Sequence, residues 1–181
     1  MHPLTVSYGK YDTNVVKNAV EKMHPVPESD RTEEGYRAAA DALLKKCGFQ
    51  REHVVYAGTE IRGSAAVVSY DNQYEGIPGE ECFMTVTFQD GRITDFQRRW
   101  MDVISEGDAR LEVMSQLSAL LKFMTETDHT DPITITDMYL TYWIDAYDVD
   151  GDVLYDTALP AWCFIYNDGQ NRKKYIPATV Q

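Results

Sequence analysis

Long hydrophobic runs are missing from this sequence: nowhere do apolar residues approach the roughly 20 in succession that cross a bilayer as a helix. Met1-His2-Pro3 leads into a mixed, largely polar stretch, not a basic segment followed by an apolar run, so no signal peptide is visible. Cysteine is scarce. The three, Cys47, Cys82 and Cys163, lie far apart and form no CxxC pair, which excludes a zinc knuckle or a thioredoxin-type site. Each stands close to a phenylalanine (Phe49, Phe83, Phe164), where a thiol behaves as a small hydrophobe, so structural burial is expected. Positive charge is also scarce: 17 Lys and Arg against 29 Asp and Glu give a net charge of −12, which opposes nucleic acid and anionic lipid as partners. The one compact basic run, Arg172-Lys173-Lys174, reads as solvated edge-strand charge that blocks aggregation.

Catalytic signatures are absent too. No GxSxG, HExxH, phosphate loop or dinucleotide fingerprint occurs. His2, His24, His53 and His129 fall in termini or loops without a second histidine at helical or strand spacing, and exposed side chains are expected. Gly76-Ile77-Pro78-Gly79 is too short to cradle a phosphate and reads as a turn.

What the chain does contain is enough apolar material for a core. Its 181 residues are 44% hydrophobic and 12% aromatic, and 12 tyrosines and 3 tryptophans favour β structure, where flat rings cover a pleated face. Two stretches echo each other. Each reads helix, then antiparallel strands, then a similar turn: Thr32 to Gln89-Asp90-Gly91, and Ser105 to Asn167-Asp168-Gly169. The fold class expected is α+β, with helices packed on antiparallel sheet. Its organisation reads as an N-terminal helix and linker (1–30), a first helix-plus-strands repeat (31–103) and a second (104–181).

Locally, Asp12 or Thr13 caps a short helix with Val15, Val16, Ala19, Val20 and Met23 on one face. Pro25 to Asp30 reads as a linker. Thr32-Glu33-Glu34 opens a second helix with a Tyr36, Ala39, Ala40, Leu43, Leu44 stripe, ended by Gly48. Strands follow at Val54 to Gly58, Ser64 to Tyr70 and Cys82 to Phe88, and Asp90-Gly91 turns the chain back through Ile93, Phe96 and Trp100. A third helix is expected from about Glu106 to Met124, with Leu111, Met114, Leu117, Leu120, Leu121 and Met124 as core positions. Strands at Ile133 to Tyr147, Ala158 to Tyr166 and Lys174 to Val180 complete the reading.

Asp145, Asp148, Asp150, Asp152 and Asp156 crowd around Gly151 and invite a calcium reading, with Asp148, Asp150 and Asp152 as ligands. The register fails an EF-hand, because Ala146 and Thr157 stand where its first and last ligands belong. A solvated hairpin loop is the simpler account, so no cofactor is expected beyond weak calcium. Tyr139, Tyr142, Trp143 and Tyr147 with Trp162 and Tyr166 suit either a sheet core or a ligand surface. As a strand, the first group puts Tyr139, Trp143 and Tyr147 on one face and Tyr142 on the other.

The segment Tyr70-Asp71-Asn72-Gln73-Tyr74-Glu75-Gly76-Ile77-Pro78, then a strand, then Asp90-Gly91-Arg92-Ile93, resembles the PepSY-like and YycI-type extracytoplasmic regulatory domains of Gram-positive bacteria. Leu159-Pro160-Ala161-Trp162 similarly resembles the Pro-x-Trp segment that opens the last hairpin of such modules. The resemblance covers about Thr32 to Ile176. It implies a non-catalytic domain acting outside the cytoplasm, lipoprotein-borne or membrane-tethered through a segment this chain lacks. A native start at Met1 would instead imply a cytoplasmic protein. The expected working surface, for a protein or small-molecule partner, lies near Tyr70, Tyr74, Tyr142, Trp143 and Trp162. The rival expectations are a small enzyme using a buried Asp137 or Asp145 beside a tyrosine, and a calcium-stabilised module.

Overall fold

The computed structural model describes residues 1–8, 11–50, 52–127, 132–144 and 154–179. In chain order the elements are β1 (Leu4–Tyr8), α1 (Thr13–Val20), a 3-10 turn (Glu28–Asp30), α2 (Glu33–Cys47), β2 (Val54–Arg62), β3 (Ala65–Tyr74), β4 (Ile77–Gln89) and β5 (Arg92–Arg99). They continue with β6 (Met101–Glu106), α3 (Gln116–Glu126), β7 (Thr134–Trp143), β8 (Leu154–Asn167) and β9 (Asn171–Pro177). The class is α+β. The β1–β8, β2–β3, β4–β5, β7–β8 and β8–β9 pairs are antiparallel and a parallel bridge joins Gly79 to Tyr142, so the sheet is mixed.

Two compact units divide the chain. One holds Gly9–Gly76 and Glu81–Met101, the other Met1–Tyr8, Ile77–Glu80 and Asp102–Gln181. The first is a four-strand meander, β2-β3-β4-β5, with α1 and α2 on one face. In β4, Cys82, Met84, Val86 and Phe88 are buried while Phe83 is exposed, the alternation expected of a half-buried strand. The β4–β5 hairpin turns on two residues, Asp90 (φ 51°) and Gly91 (φ 79°), the left-handed pair that matches the twist of the flanking strands. Gly91 is also crowded: a Cβ there would lie 2.4 Å from the carbonyl oxygen of Val26, whose own N–H donates to Gly91 O. The expected Pro25–Asp30 linker is thus pinned to a hairpin, with Val26 in the core.

Helix ends follow the local chemistry. Asp12 Oδ1 accepts the Asn14 N–H, Thr32 Oγ1 accepts the Gly35 N–H, and Gly48 ends α2 in the left-handed conformation. Val16 and Ala19 of α1 are buried, whereas Val15, expected on the same face, is 41% exposed. Tyr36, Ala40, Leu43 and Leu44 of α2 pack on Val68, Tyr70, Met84 and Phe88.

The second unit is built on β7-β8-β9, with β1 and β6 adding further strands. Neither β1 nor β6 was expected, and residues 102–106, expected to precede or open a helix, are strand. The third helix begins at Gln116, capped by the Ser115 hydroxyl, about ten positions later than the pattern suggested. Its rotation differs as well. Ala119 and Phe123 face the sheet, with Phe123 stacked on Phe164 (4.4 Å between centroids) and edge-on to Tyr166 (5.3 Å). Leu117, Leu121 and Met124, expected in the core, are exposed.

The cysteines are free. Cys82 and Cys163 are buried, and Cys47 is half-buried at the end of α2. Burial pushes the thiols of Cys47 and Cys163 above their ordinary pKa. A thiol alkylating reagent at neutral pH should therefore label Cys47 alone in the native protein, and slowly. Mass spectrometry should show all three labelled only in denaturant. Early labelling of Cys163 would contradict the packing described.

Candidate functional site

The five residues expected to form one working surface are divided between the two units, Tyr70 and Tyr74 in the first and Tyr142, Trp143 and Trp162 in the second. Tyr70, on β3, is buried in the first unit, and its hydroxyl donates to Asp41 Oδ1 at 2.7 Å. Tyr142, on β7, is buried in the second unit, and its hydroxyl donates to the His2 carbonyl at 3.2 Å. For these two the expectation of a surface is corrected. Each hydroxyl finds an internal acceptor, which lets the ring enter the core. Tyr74 is half-buried beside the His53 ring, 5.0 Å away. Asp148, Asp150, Asp152 and Asp145 lie outside the described residues. Among the described residues no group of three or more His, Cys, Asp and Glu could hold a metal.

Trp143 and Trp162 sit on opposite faces of the β7-β8-β9 sheet. Leu140 pairs with Trp162 and Trp162 with Ile176, whereas Trp143 pairs with Leu159. Since side chains alternate, Trp162 points to the α3 side, where its indole N–H donates to the Met114 carbonyl at 3.1 Å. Trp143 points to the other side and stacks on Tyr175, 5.1 Å between centroids and 13° between planes.

That other side holds a group no sequence pattern disclosed. Tyr139, Cys163 and Tyr175 form one cross-strand row, each directly opposite the next. Over this row lies Glu80, its side chain only 6% exposed. Glu80 Oε1 accepts from Lys173 Nζ at 2.6 Å and from the Tyr175 hydroxyl at 2.8 Å, and Oε2 accepts from the Tyr139 hydroxyl at 3.1 Å. Thr141 Oγ1 donates to the Pro78 carbonyl at 2.8 Å, so with the Gly79–Tyr142 bridge and the Glu80–Tyr139 bond the Ile77–Glu80 segment is held to β7 at three points. Burial, reinforced by the Cys163 thiol and then by Glu80, pushes the Tyr139 phenol well above its ordinary pKa. The basic run on β9 therefore does more than stay solvated. Lys173 meets Glu80, and Lys174 donates to Glu126 O and Thr127 Oγ1 beyond the end of α3. Asp137, the rival catalytic base, is exposed on β7 with Oδ1 accepting the Met138 N–H.

The feature that stands out as a surface is on α3. Leu117, Leu121 and Met124 are 67%, 58% and 56% exposed, at i, i+4 and i+7 on one face of the helix. Their flanks Ser118 and Thr125 carry no charge, and Lys122 pairs with Glu126 at 3.8 Å within the helix. Sequence periodicity had found these residues but assigned them to the core.

Two measurements test the buried groups. Glu80→Ala leaves two phenols and an ammonium without their shared acceptor and should cost about 2–4 kcal/mol. At this chain length that lowers the melting temperature by roughly 5–15 °C. Glu80→Gln, which keeps an acceptor, should cost less, and equal effects would contradict the role of the charge. The second measurement is tyrosine absorbance against pH. Burial, then Asp41, raises the Tyr70 phenol, as burial raises Tyr139. Both favour the neutral form in the fold, so their contribution is present below about pH 10 and lost as pH rises above it. The protein should lose stability on the alkaline side, with a late tyrosine fraction ionising together with unfolding and reduced in Tyr70→Phe.

No protein-family model matches the chain, and no curated protein matches it significantly. Among solved structures, the Bacillus megaterium YpeB C-terminal domain is similar at a TM-score of 0.41 and 13% sequence identity, over 95% of this chain and 62% of that one. The chain thus spans less than two thirds of that structure's length, and a likeness this distant carries no argument about function.

Proposed function

We propose that this chain is a non-catalytic binding or regulatory domain that docks a protein partner through the outer face of α3. The observation that carries the reading is the exposed Leu117, Leu121 and Met124 stripe. An amphipathic helix normally turns such a stripe inward, and a contiguous apolar patch left outside marks an interaction site. Here the inward face is already occupied by Ala119 and Phe123. Helix recognition by a partner groove uses anchors at this spacing.

Charge argues for a protein over a lipid surface. The net charge is −12 and α3 carries a single lysine, so an anionic bilayer would be repelled. Area argues for a groove over a second copy. The three side chains offer on the order of 300 Å² per copy, so a symmetric pair would bury roughly 600 Å², well under the ~1,200 Å² of a stable interface. A partner that wraps the helix gains more. Placement outside the cytoplasm, on a lipoprotein or membrane-tethered protein, is part of this proposal and is supported by the resemblance of the Tyr70–Pro78 and Leu159–Trp162 segments to PepSY-like and YycI-type domains.

The test is cross-linking in intact cells of the source organism with a membrane-impermeant reagent, comparing the native chain with Leu121→Ser. The substitution should leave stability within about 0.5 kcal/mol, because the side chain is exposed. It should weaken the cross-linked complex roughly thirtyfold, as loss of a central anchor does. A complex indifferent to Leu121→Ser overturns the docking face. A complex captured only by a permeant reagent overturns the location and leaves the docking face standing.

A further inference from the structure

We infer that Met124 is an oxidation site at which a peroxide-class oxidant releases the partner docked on α3. The inference rests on the docking reading of α3 and adds its regulation. The chain has 7 methionines, and Met124 alone is exposed. Met84 and Met101 are buried, and Met23, Met114 and Met138 pack half-buried against the hydrophobic cores. Met1, half-buried, exchanges backbone hydrogen bonds with Leu111. The thiols are poor competitors. Cys82 and Cys163 are buried, and burial raises the pKa of half-buried Cys47, so little of its reactive thiolate stands at neutral pH. An oxidant arriving from solvent therefore meets the Met124 thioether first.

The place of Met124 gives its oxidation a consequence. It lies one turn beyond Leu121 and two beyond Leu117 on the same face, so its sulfur is part of the apolar stripe. The fold does not depend on it. Ala119 and Phe123 hold α3 to the sheet, and Lys174 donates to Glu126 O and Thr127 Oγ1 at its end. Oxidation thus changes the docking face and leaves the helix seated.

With hydrogen peroxide, Met124 Sδ attacks one peroxide oxygen, an S–O bond forms and the O–O bond breaks. The displaced hydroxide takes the proton from the transferred oxygen and leaves as water. Sulfur gives up two electrons and the peroxide takes them, so a sulfoxide and one water result. Two thiols reverse the step, giving the thioether, a disulfide and water. The sulfoxide is a polar acceptor where an apolar anchor stood. Inside an apolar groove its oxygen finds no donor, and the cost of stripping its water opposes docking.

The test begins with graded hydrogen peroxide on the whole chain, read by mass spectrometry of its peptides. Met124 should gain one oxygen about tenfold or more faster than any other methionine, at an unchanged melting temperature. The singly oxidised chain should elute earlier from a phenyl matrix, as Leu121→Ser does. Methionine sulfoxide reductase with a dithiol should restore its mass and its retention. In intact cells, a peroxide pulse before cross-linking should weaken the captured complex about tenfold. The same pulse should leave the Met124→Leu complex at its own untreated level, since leucine takes no oxygen. Earlier oxidation of another methionine, unchanged retention, or an equal loss of complex in Met124→Leu overturns the inference, and a complex weakened by Leu121→Ser then still supports the docking face. A complex indifferent to both Leu121→Ser and the pulse overturns the docking face and this regulation with it.

Discussion

A carboxylate almost wholly removed from water must be met by donors, and in the second unit Glu80 imposes that demand on three strands. Its side chain is 6% exposed, and the donors that meet it, Tyr139, Tyr175 and Lys173, come from β7 and β9 with Cys163 of β8 between them. They converge only if the three strands keep their register, because a slip by one residue would send every side chain to the opposite face. The polar face being fixed, the apolar face is fixed with it. Phe164, Tyr166 and Ile176 point the other way, and α3 seats Ala119 and Phe123 against them. The outward direction of Leu117, Leu121 and Met124 is the last link of that chain of consequences.

The first unit solves the same problem at smaller scale. Tyr70 enters the core because Asp41 on α2 accepts the hydrogen bond of its hydroxyl, and Asn72 is buried with its amide donating to Met101 O at 2.8 Å. Each buried polar group ties an element to another far along the chain, which apolar contacts do without direction. The pattern resembles register control by polar pairing more than stabilisation, since satisfied buried polar groups contribute modestly while their mispairing is costly.

Much of this fold is legible from local chemistry. The Thr32 and Gly48 caps, the alternation of Cys82 to Phe88 and the Asp90-Gly91 turn are features in which a few adjacent residues determine the backbone. What depends on distant residues is not. Leu111 and Met114 share the helical spacing of Leu117 and Leu121, so periodicity carried the helix back through a segment that is irregular apart from a bridge at Val113, and took the wrong face for the core. Only the ring of Phe123 against Phe164 sets the rotation, and that contact spans about forty residues. Tyr70 and Tyr142 looked like surface residues because their hydroxyl acceptors, Asp41 and His2 O, are remote in sequence. Glu80 sits in a Gly-Glu-Glu turn-like context and Lys173 in a basic run, and neither reveals the other. The short strands β1 and β6 carry too few residues for alternation to register.

The division of polar and apolar groups bears on the kind of work this chain does. A buried polar group that finds its partners inside the fold fixes the register of the elements it joins. Here the buried carboxylate accepts from three side chains, and the phenols of Tyr70, Tyr139 and Tyr142 each have an acceptor. These interactions hold elements together. The leucine and methionine stripe of α3 is of the opposite kind, apolar and turned to solvent. Exposed apolar area gives contact without direction, and the polar groups around it supply the direction. Under the proposed reading the α3 stripe supplies the contact area, and the charge of −12 narrows which partners it would hold.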